Sequence, residues 1–339
     1  MIKKVLLAGM AFIIPLALFS KSTSLNDLEA EAKKNNKKAA EELINMLAAN
    51  EDSEMRASAA RSLGNARVKS ANDQLLKSLV SDDDVVREEI IISLGKIGIA
   101  ANSDKIIEIV NNNNEKRRIR IVAIKSLGFL GSDNGVRVLI TKLDANDQKF
   151  KDTAIAALGD TGSPAAAAAL VKLMQKEKDN VLAAESLNKL KSKDSYKGIA
   201  DLLKAKVGTR EYDQAFMILA GLLGDERYAD AKGILAKAYL TSHSSKYDFK
   251  ESVLKALKAM KVKSSYCVVN ATSLRMRKEP NDRSPVSGNL QKNEFATVLE
   301  ATKIKHTIDN IKDYWYRIQN EKGETGWVFG GYLLKLEID

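Results

Sequence analysis

Val86-Arg87-Glu88-Glu89-Ile90-Ile91-Ile92-Ser93-Leu94-Gly95 decides the fold of most of this chain. Its apolar residues at 86, 90, 91 and 94 recur at i, i+4, i+5 and i+8, the spacing of one face of an α-helix. Similar stretches lie on both sides. Arg56 leads to Ser62-Leu63-Gly64, Arg120 to Ser126-Leu127-Gly128 and Lys151 to Ala157-Leu158-Gly159, and in all four copies the basic residue stands eight positions before the glycine. Weaker copies follow at Ser186-Leu187-Asn188, Leu222-Leu223-Gly224 and Ala256-Leu257-Lys258. The leucines at 63, 94, 127, 158, 187, 223 and 257 are 31, 33, 31, 29, 36 and 34 residues apart. Seven units of this period indicate a repeat array.

A second amphipathic stretch precedes each such helix, as at 72–79, 104–110, 135–143, 164–174 and 196–203. Each unit is therefore expected to be a helical hairpin, with the repeated glycine as the C-terminal cap of its second helix. Pro164 suits a first helical turn, where its missing N–H costs nothing. Asp82, Asp83 and Asp84 precede the Val86 helix, where acids cap free amides. Between Lys21 and Val269 there is a single proline, as a long helical region requires.

The 339 residues are 45% hydrophobic and 29% charged, a globular balance. Lys3 and Lys4 precede an apolar run over 5–19 and then Ser20, Ser22 and Ser24, the pattern of a secretory signal peptide cleaved after Ser22 or Ser24. The run is shorter than the ~20 residues that span a bilayer, so no transmembrane segment is expected after cleavage. The one cysteine, Cys267, does not follow the apolar run, so no lipoprotein is expected at the N-terminus. An exported protein, periplasmic or secreted, is the expectation, and a single cysteine leaves its stability to the core. The formal charge of +10 becomes +7 without residues 1–24, with +6 on the helical region and +1 on the last 76 residues. That mild excess does not suggest a nucleic-acid partner.

From Ser264 the pattern changes to short β-rich runs bounded by turn residues. The runs 266–269, 294–300, 315–318 and 325–329 read as strands, the last two joined by a turn containing Gly323. Both tryptophans and eight of the nineteen aromatics lie in these last 76 residues. Five or six strands in about 70 residues suggest a small barrel.

The repeats resemble the HEAT-like repeats of bacteria, in the short form described in phycobilisome lyases, over about residues 30–262. Asp84-Val85-Val86-Arg87 running on to Leu94-Gly95 is the best match. The resemblance implies that Arg56, Arg87, Arg120 and Lys151 form an inter-repeat ladder, bonding loop acids and carbonyls of neighbouring units; a basic ligand-binding stripe is the other reading. The C-terminal segment resembles the bacterial SH3-like domain in four motifs. These are Leu274-Arg275-Met276-Arg277-Lys278-Glu279-Pro280, Lys292-Asn293-Glu294, Trp315-Tyr316-Arg317-Ile318, and the run from Lys322 through Gly326-Trp327-Val328 to Gly331-Tyr332-Leu333. It departs from the family by an insertion over 303–311 and by Arg275, where Asn is usual. The fold class expected is a multidomain chain: an all-α HEAT-like superhelical solenoid of about seven hairpins over 25–262, then an all-β SH3-like barrel over 264–339.

The SH3-like resemblance implies recognition of peptidoglycan or a short peptide, in a groove built from Arg277, Glu279, Asp313, Tyr314, Trp315, Trp327 and Tyr332. If Ile318 points inward, strand alternation leaves Trp315 and Arg317 outside, which singles out Trp315. Trp327 and Tyr332 are more readily read as barrel packing than as ligand platforms. The solenoid would bind a protein partner.

Catalytic chemistry is sparse. His243 and His306 fall in different expected domains, and Cys267 lies in a barrel strand as a buried apolar residue. Asp144-Ala145-Asn146-Asp147-Gln148 lacks the glycine and closing glutamate of a calcium loop. Acid pairs such as Glu88-Glu89 are expected in solvent. No cofactor, metal site or catalytic residue is expected, and the chain reads as a non-enzymatic exported scaffold or adaptor. The alternatives are a secreted factor that contacts surface or host proteins, and a lyase-type enzyme with the solenoid as its cleft.

Overall fold

The computed structural model describes residues 24–49, 52–80, 83–177, 180–207, 213–242, 247–262 and 265–338. The expected signal segment up to residue 23, Asp82, His243 and positions 263–264 lie outside the described residues. Two compact units divide between Ile99 and Ala100.

The first unit opens with α1 (Leu25–Lys33). Its N-cap, Ser24, accepts the Asp27 N–H, and the Asp27 carboxylate accepts the Ser24 N–H in return. Two hairpins follow, α2 (Lys37–Ala49) with α3 (Ser53–Asn65), and α4 (Asn72–Ser78) with α5 (Asp84–Ile97). The second unit holds five more. They are α6 (Ser103–Asn111) with α7 (Arg117–Leu130), α8 (Asp133–Thr141) with α9 (Gln148–Asp160), and α10 (Pro164–Lys176) with α11 (Val181–Leu190). Then come α12 (Tyr196–Lys206) with α13 (Gln214–Asp225), and α14 (Ala231–Thr241) with α15 (Tyr247–Ala259). In the first unit α3 packs on α5; in the second, α7, α9, α11, α13 and α15 pack in succession. All seven repeat leucines lie on these second helices and have no exposed surface.

The repeated glycines do not cap helices. Gly64, Gly95, Gly128, Gly159 and Gly224 all lie inside the second helices. The left-handed cap is instead Gly98 after α5 (φ 76°) and Gly131 after α7 (φ 60°). A Cβ on Gly64 would come within 2.4 Å of Ser93, one on Gly128 within 2.6 Å of the Ala157 carbonyl, and one on Gly159 within 2.9 Å of Ser186. The small-Leu-Gly phrase thus has a packing cause. The glycine of one hairpin admits the small residue of the next, and the leucine between them fills the interior. Ser93 also donates its hydroxyl to the Ala60 carbonyl across that seam at 2.7 Å.

Asp52, Asp83, Asp147 and Asp213 are the N-caps of α3, α5, α9 and α13, each accepting backbone N–H groups of the first turn. Asp147 has a second role, accepting a bidentate pair of bonds from Arg117 at 2.7 and 2.8 Å across neighbouring hairpins. Arg120 donates Nε to the Val110 carbonyl at 3.0 Å and lies over the Phe150 ring. Lys151 pairs with Glu177, Arg56 donates to Ser53 at 3.4 Å, and Arg87 lies on α5. The Glu88-Glu89 pair is not in solvent: Glu88 is buried, and Glu89 pairs with Arg61 of the preceding hairpin at 2.8 Å.

The remaining strands are β1 (Tyr266–Val269), β2 (Ser273–Arg277), β3 (Val286–Gln291), β4 (Phe295–Ala301), β5 (His306–Ile308), β6 (Ile311–Asp313), β7 (Trp315–Asn320), β8 (Thr325–Phe329) and β9 (Leu333–Lys335). Seven form one sheet in the order β3-β2-β8-β7-β4-β1-β9, with antiparallel pairing throughout. Its core gathers Cys267, Leu274, Met276, Leu290, Ile318 and Val328. The insertion forms a hairpin, β5 paired with β6. Asp309 and Asn310 make its two-residue turn possible by adopting φ of 52° and 63°, the left-handed pair whose twist matches that of the strands. The barrel packs against α14, where the Phe295 ring lies against Gly233 and Lys237 pairs with Glu321 at 2.8 Å.

Candidate functional site: a groove on the barrel

The site follows from strand alternation. Leu274 and Met276 of β2, Tyr316 and Ile318 of β7, and Val328 of β8 turn to the barrel core. Their neighbours Ser273, Arg275, Arg277, Trp315, Arg317, Trp327 and Phe329 therefore share the other face. The pairing brings Trp315 opposite Phe329 and places Trp327 between Arg277 and Arg317.

A cavity of about 280 Å³ lies on this face, floored by Trp315 and Phe329. The Trp315 and Phe329 rings meet edge-on at 5.8 Å, and Phe329 meets Tyr332 in the same way at 5.9 Å. Arg275 and Arg277 line it from β2, Asp282 from the segment before β3, and Ile308 and Asp309 from the inserted hairpin. Arg277 donates Nη1 to the Ser284 carbonyl at 2.6 Å, and Ser284 Oγ accepts the Glu279 N–H at 2.9 Å, so the segment bearing Asp282 is tied to β2.

Trp315 is on the outer face, as alternation requires, yet it is 2% exposed. The expectation of an open platform is corrected: the indole packs edge-on against Phe329, itself 2% exposed, and Ile308 and Asp309 of the insertion stand at the same cavity. The Trp315 N–H donates to Thr302 Oγ1 at 3.1 Å at the hairpin's foot. At the other end Tyr332 donates its hydroxyl to Asp309, and Gly331 leaves no room for a Cβ, which would stand 2.6 Å from Ile311. The hydrogen bond to Asp309, aided by burial, holds the Tyr332 hydroxyl above the usual tyrosine pKa. At the hairpin's base Lys335 pairs with Asp313 at 2.8 Å. Burial alone would lower the Lys335 pKa, but the bond and charge of Asp313, with Tyr316, raise it on balance.

Of the seven residues expected in the groove, Arg277, Trp315 and Tyr332 line this cavity together. Glu279, Asp313, Tyr314 and Trp327 do not. Asp313 is engaged with Lys335, Tyr314 lies under Lys305 (5.2 Å) and edge-on to Tyr316, and Trp327 is half-buried farther along β8. Phe329, Asp282 and Asp309 were not foreseen. Alternation back from Val328 could have found Phe329; nothing short of the hairpin's register could have placed Asp309.

Cys267 is fully buried in the core, and burial pushes its thiol up to about 12. Among the described residues no group of three or more His, Cys, Asp and Glu side chains could hold a metal ion. Among them, too, no helix is long and apolar enough to cross a membrane.

The sequence matches the bacterial SH3 domain over residues 272–333 and HEAT repeats over 40–119 and 103–191. No curated protein sequence matches it. Among solved structures it is similar to the complex of CpcE and CpcF of phycocyanin lyase from Nostoc sp. PCC7120, at 17% identity and TM-score 0.40, covering 72% of this chain and 91% of that one. It is also similar to human deoxyhypusine hydroxylase, at 13% identity and TM-score 0.30, covering 68% and 98%. An engineered protein aligns at 20% identity and TM-score 0.36, covering 70% and 73%. The chain contains HEAT repeats over 40–191 and a bacterial SH3 domain over 272–333.

Proposed function

We propose that this protein is an exported, non-enzymatic adaptor whose helical repeats hold a protein partner and whose barrel binds peptide of the cell wall. The observation that carries the reading is the 280 Å³ cavity on the barrel's outer face. Its volume is at the lower end of the range for ligand pockets, which suits the end of a peptide rather than a folded partner. Its aromatic floor, with arginines and acids around it, matches the mixture of methyl groups, amides and charged ends that peptidoglycan stems offer. The repeats support a protein partner because such arrays present extended surfaces to other chains. Export rests on the signal-like pattern of residues 1–24.

The test is co-sedimentation of the purified chain with peptidoglycan sacculi. Sedimentation that persists in ~0.5 M salt, where the Debye length is ~4 Å, is the expected result. It should fall on Ser273→Trp, which puts a bulky ring at an exposed position lining the cavity and leaves the core alone. Absence of the wild-type chain from the pellet overturns the cell-wall reading.

A further inference from the structure

Three arginines stand on the outer face of the barrel, and they are not equivalent. Arg317 pairs with Glu300 at 3.1 Å. Arg277 donates to the Ser284 carbonyl at 2.6 Å and so fixes the neighbouring segment. Arg275 is exposed and lines the cavity, and its side chain makes no hydrogen bond or ion pair with the other described residues. It lies two residues from Arg277 on the same side of β2, about 7 Å along the strand. A guanidinium beside an aromatic floor, with its donors unspent, matches a planar carboxylate in geometry as well as charge.

The acids of the cavity narrow the ligand further. Asp282 and Asp309 balance the two arginines, so the lining carries no net charge. Such a cavity is not a general anion site. It favours a ligand that brings one carboxylate together with an ammonium group, as the end of a short peptide does.

We propose that Arg275 receives the free carboxylate of a zwitterionic peptide end seated in this cavity. This rests on the reading of the barrel as a peptide-binding module and adds the class of peptide. Arg275 sets specificity; Arg277 positions the segment that carries Asp282.

The test titrates the purified full chain with the tripeptide Ala-Lys-Ala, with its C-terminal amide and with inorganic phosphate, following backbone amide resonances. The free acid should bind about tenfold more tightly than the amide, the scale of one charge-assisted hydrogen-bonded contact. Phosphate should not compete. Arg275→Gln should bring the acid down to the level of the amide, and Arg275→Lys should recover part of the difference. Both variants should sediment less with sacculi, while their circular dichroism and unfolding midpoints stay at wild-type values. Equal binding of acid and amide, or undiminished sedimentation of Arg275→Gln, overturns the role of Arg275 and leaves the peptide reading in place. Failure of the wild-type chain to bind both tripeptides and sacculi overturns the two together.

Discussion

Gly224 on α13 lies so close to Ala256 on α15 that a Cβ added to the glycine would stand 2.5 Å from the alanine Cβ and 2.6 Å from its Cα. Gly221, one turn earlier in the same helix, has nothing within 4 Å of the corresponding point. Two glycines in one helix thus answer to different causes, and a single substitution at each separates them.

Gly224→Ala forces α13 and α15 apart, and overpacking of this kind costs about 1–3 kcal/mol. Gly221→Ala removes only the backbone freedom of a helical glycine and should stabilise by about 0.5–1 kcal/mol. Urea unfolding followed by helical circular dichroism reads both. A destabilised Gly221→Ala or an unchanged Gly224→Ala would refute the assignment of the repeated glycine to the seam between hairpins.

The hairpins were legible because their period is carried by buried residues: each repeat leucine has a defined place, and a place repeated seven times is visible without a structure. The glycine's role was not, since a cap and a close approach both call for the same missing side chain. Departures from the motif now have reasons. Asn188 is exposed where the other hairpins have a buried glycine, and Lys258 is in the last hairpin, on which no further helix pair stacks. On the barrel, alternation gave the faces correctly and the exposure of Trp315 wrongly. Exposure depends on what packs against a ring, here Phe329, and the 303–311 insertion carries its hairpin signal in Asp309 and Asn310, two residues with little sequence pattern of their own.

Asp147 gives the helical region an acid-dependent component. The Arg117 guanidinium, with the Phe150 and Lys149 amides, holds its carboxyl at about 2, below the usual 3.8. A depressed carboxyl pKa stabilises the fold above the unfolded value and loses that contribution as pH falls through the folded one. Asp147→Asn keeps a capping side chain and gives up the ion pair. The stability gap between wild type and variant should therefore be constant above about pH 4 and close between pH 4 and 2. A gap that persists unchanged at pH 2 would assign the effect to packing.

Trp315→Ala is expected to unfold the barrel rather than to empty its groove. A tryptophan 2% exposed and packed edge-on against Phe329 costs about 3–5 kcal/mol when truncated. Trp315→Phe should be far milder. Near-ultraviolet circular dichroism decides the matter: a spectrum for Trp315→Ala as structured as the wild type's would mean that the packing of Trp315 on Phe329 does not hold the barrel together.

Cys267 should behave as a core residue and not as a nucleophile. Burial lifts its thiol to about 12 from an ordinary value near 9, the nearby Lys335 charge opposing the shift only in part. At pH 8 an aromatic disulfide reagent should leave the native chain unmodified and titrate one thiol in denaturant. The same shift has a second consequence, with the opposite sense to that at Asp147. A raised thiol pKa stabilises the fold fully below pH 9 and progressively less as pH climbs toward 12, because the unfolded chain ionises first. Cys267→Ala should lack that component of the alkaline decline, at the cost of a small cavity beside Ala296 and Ile318. Rapid labelling of the native chain at pH 8 would show that the barrel opens locally around β1, and would return Cys267 to the set of candidate reactive groups.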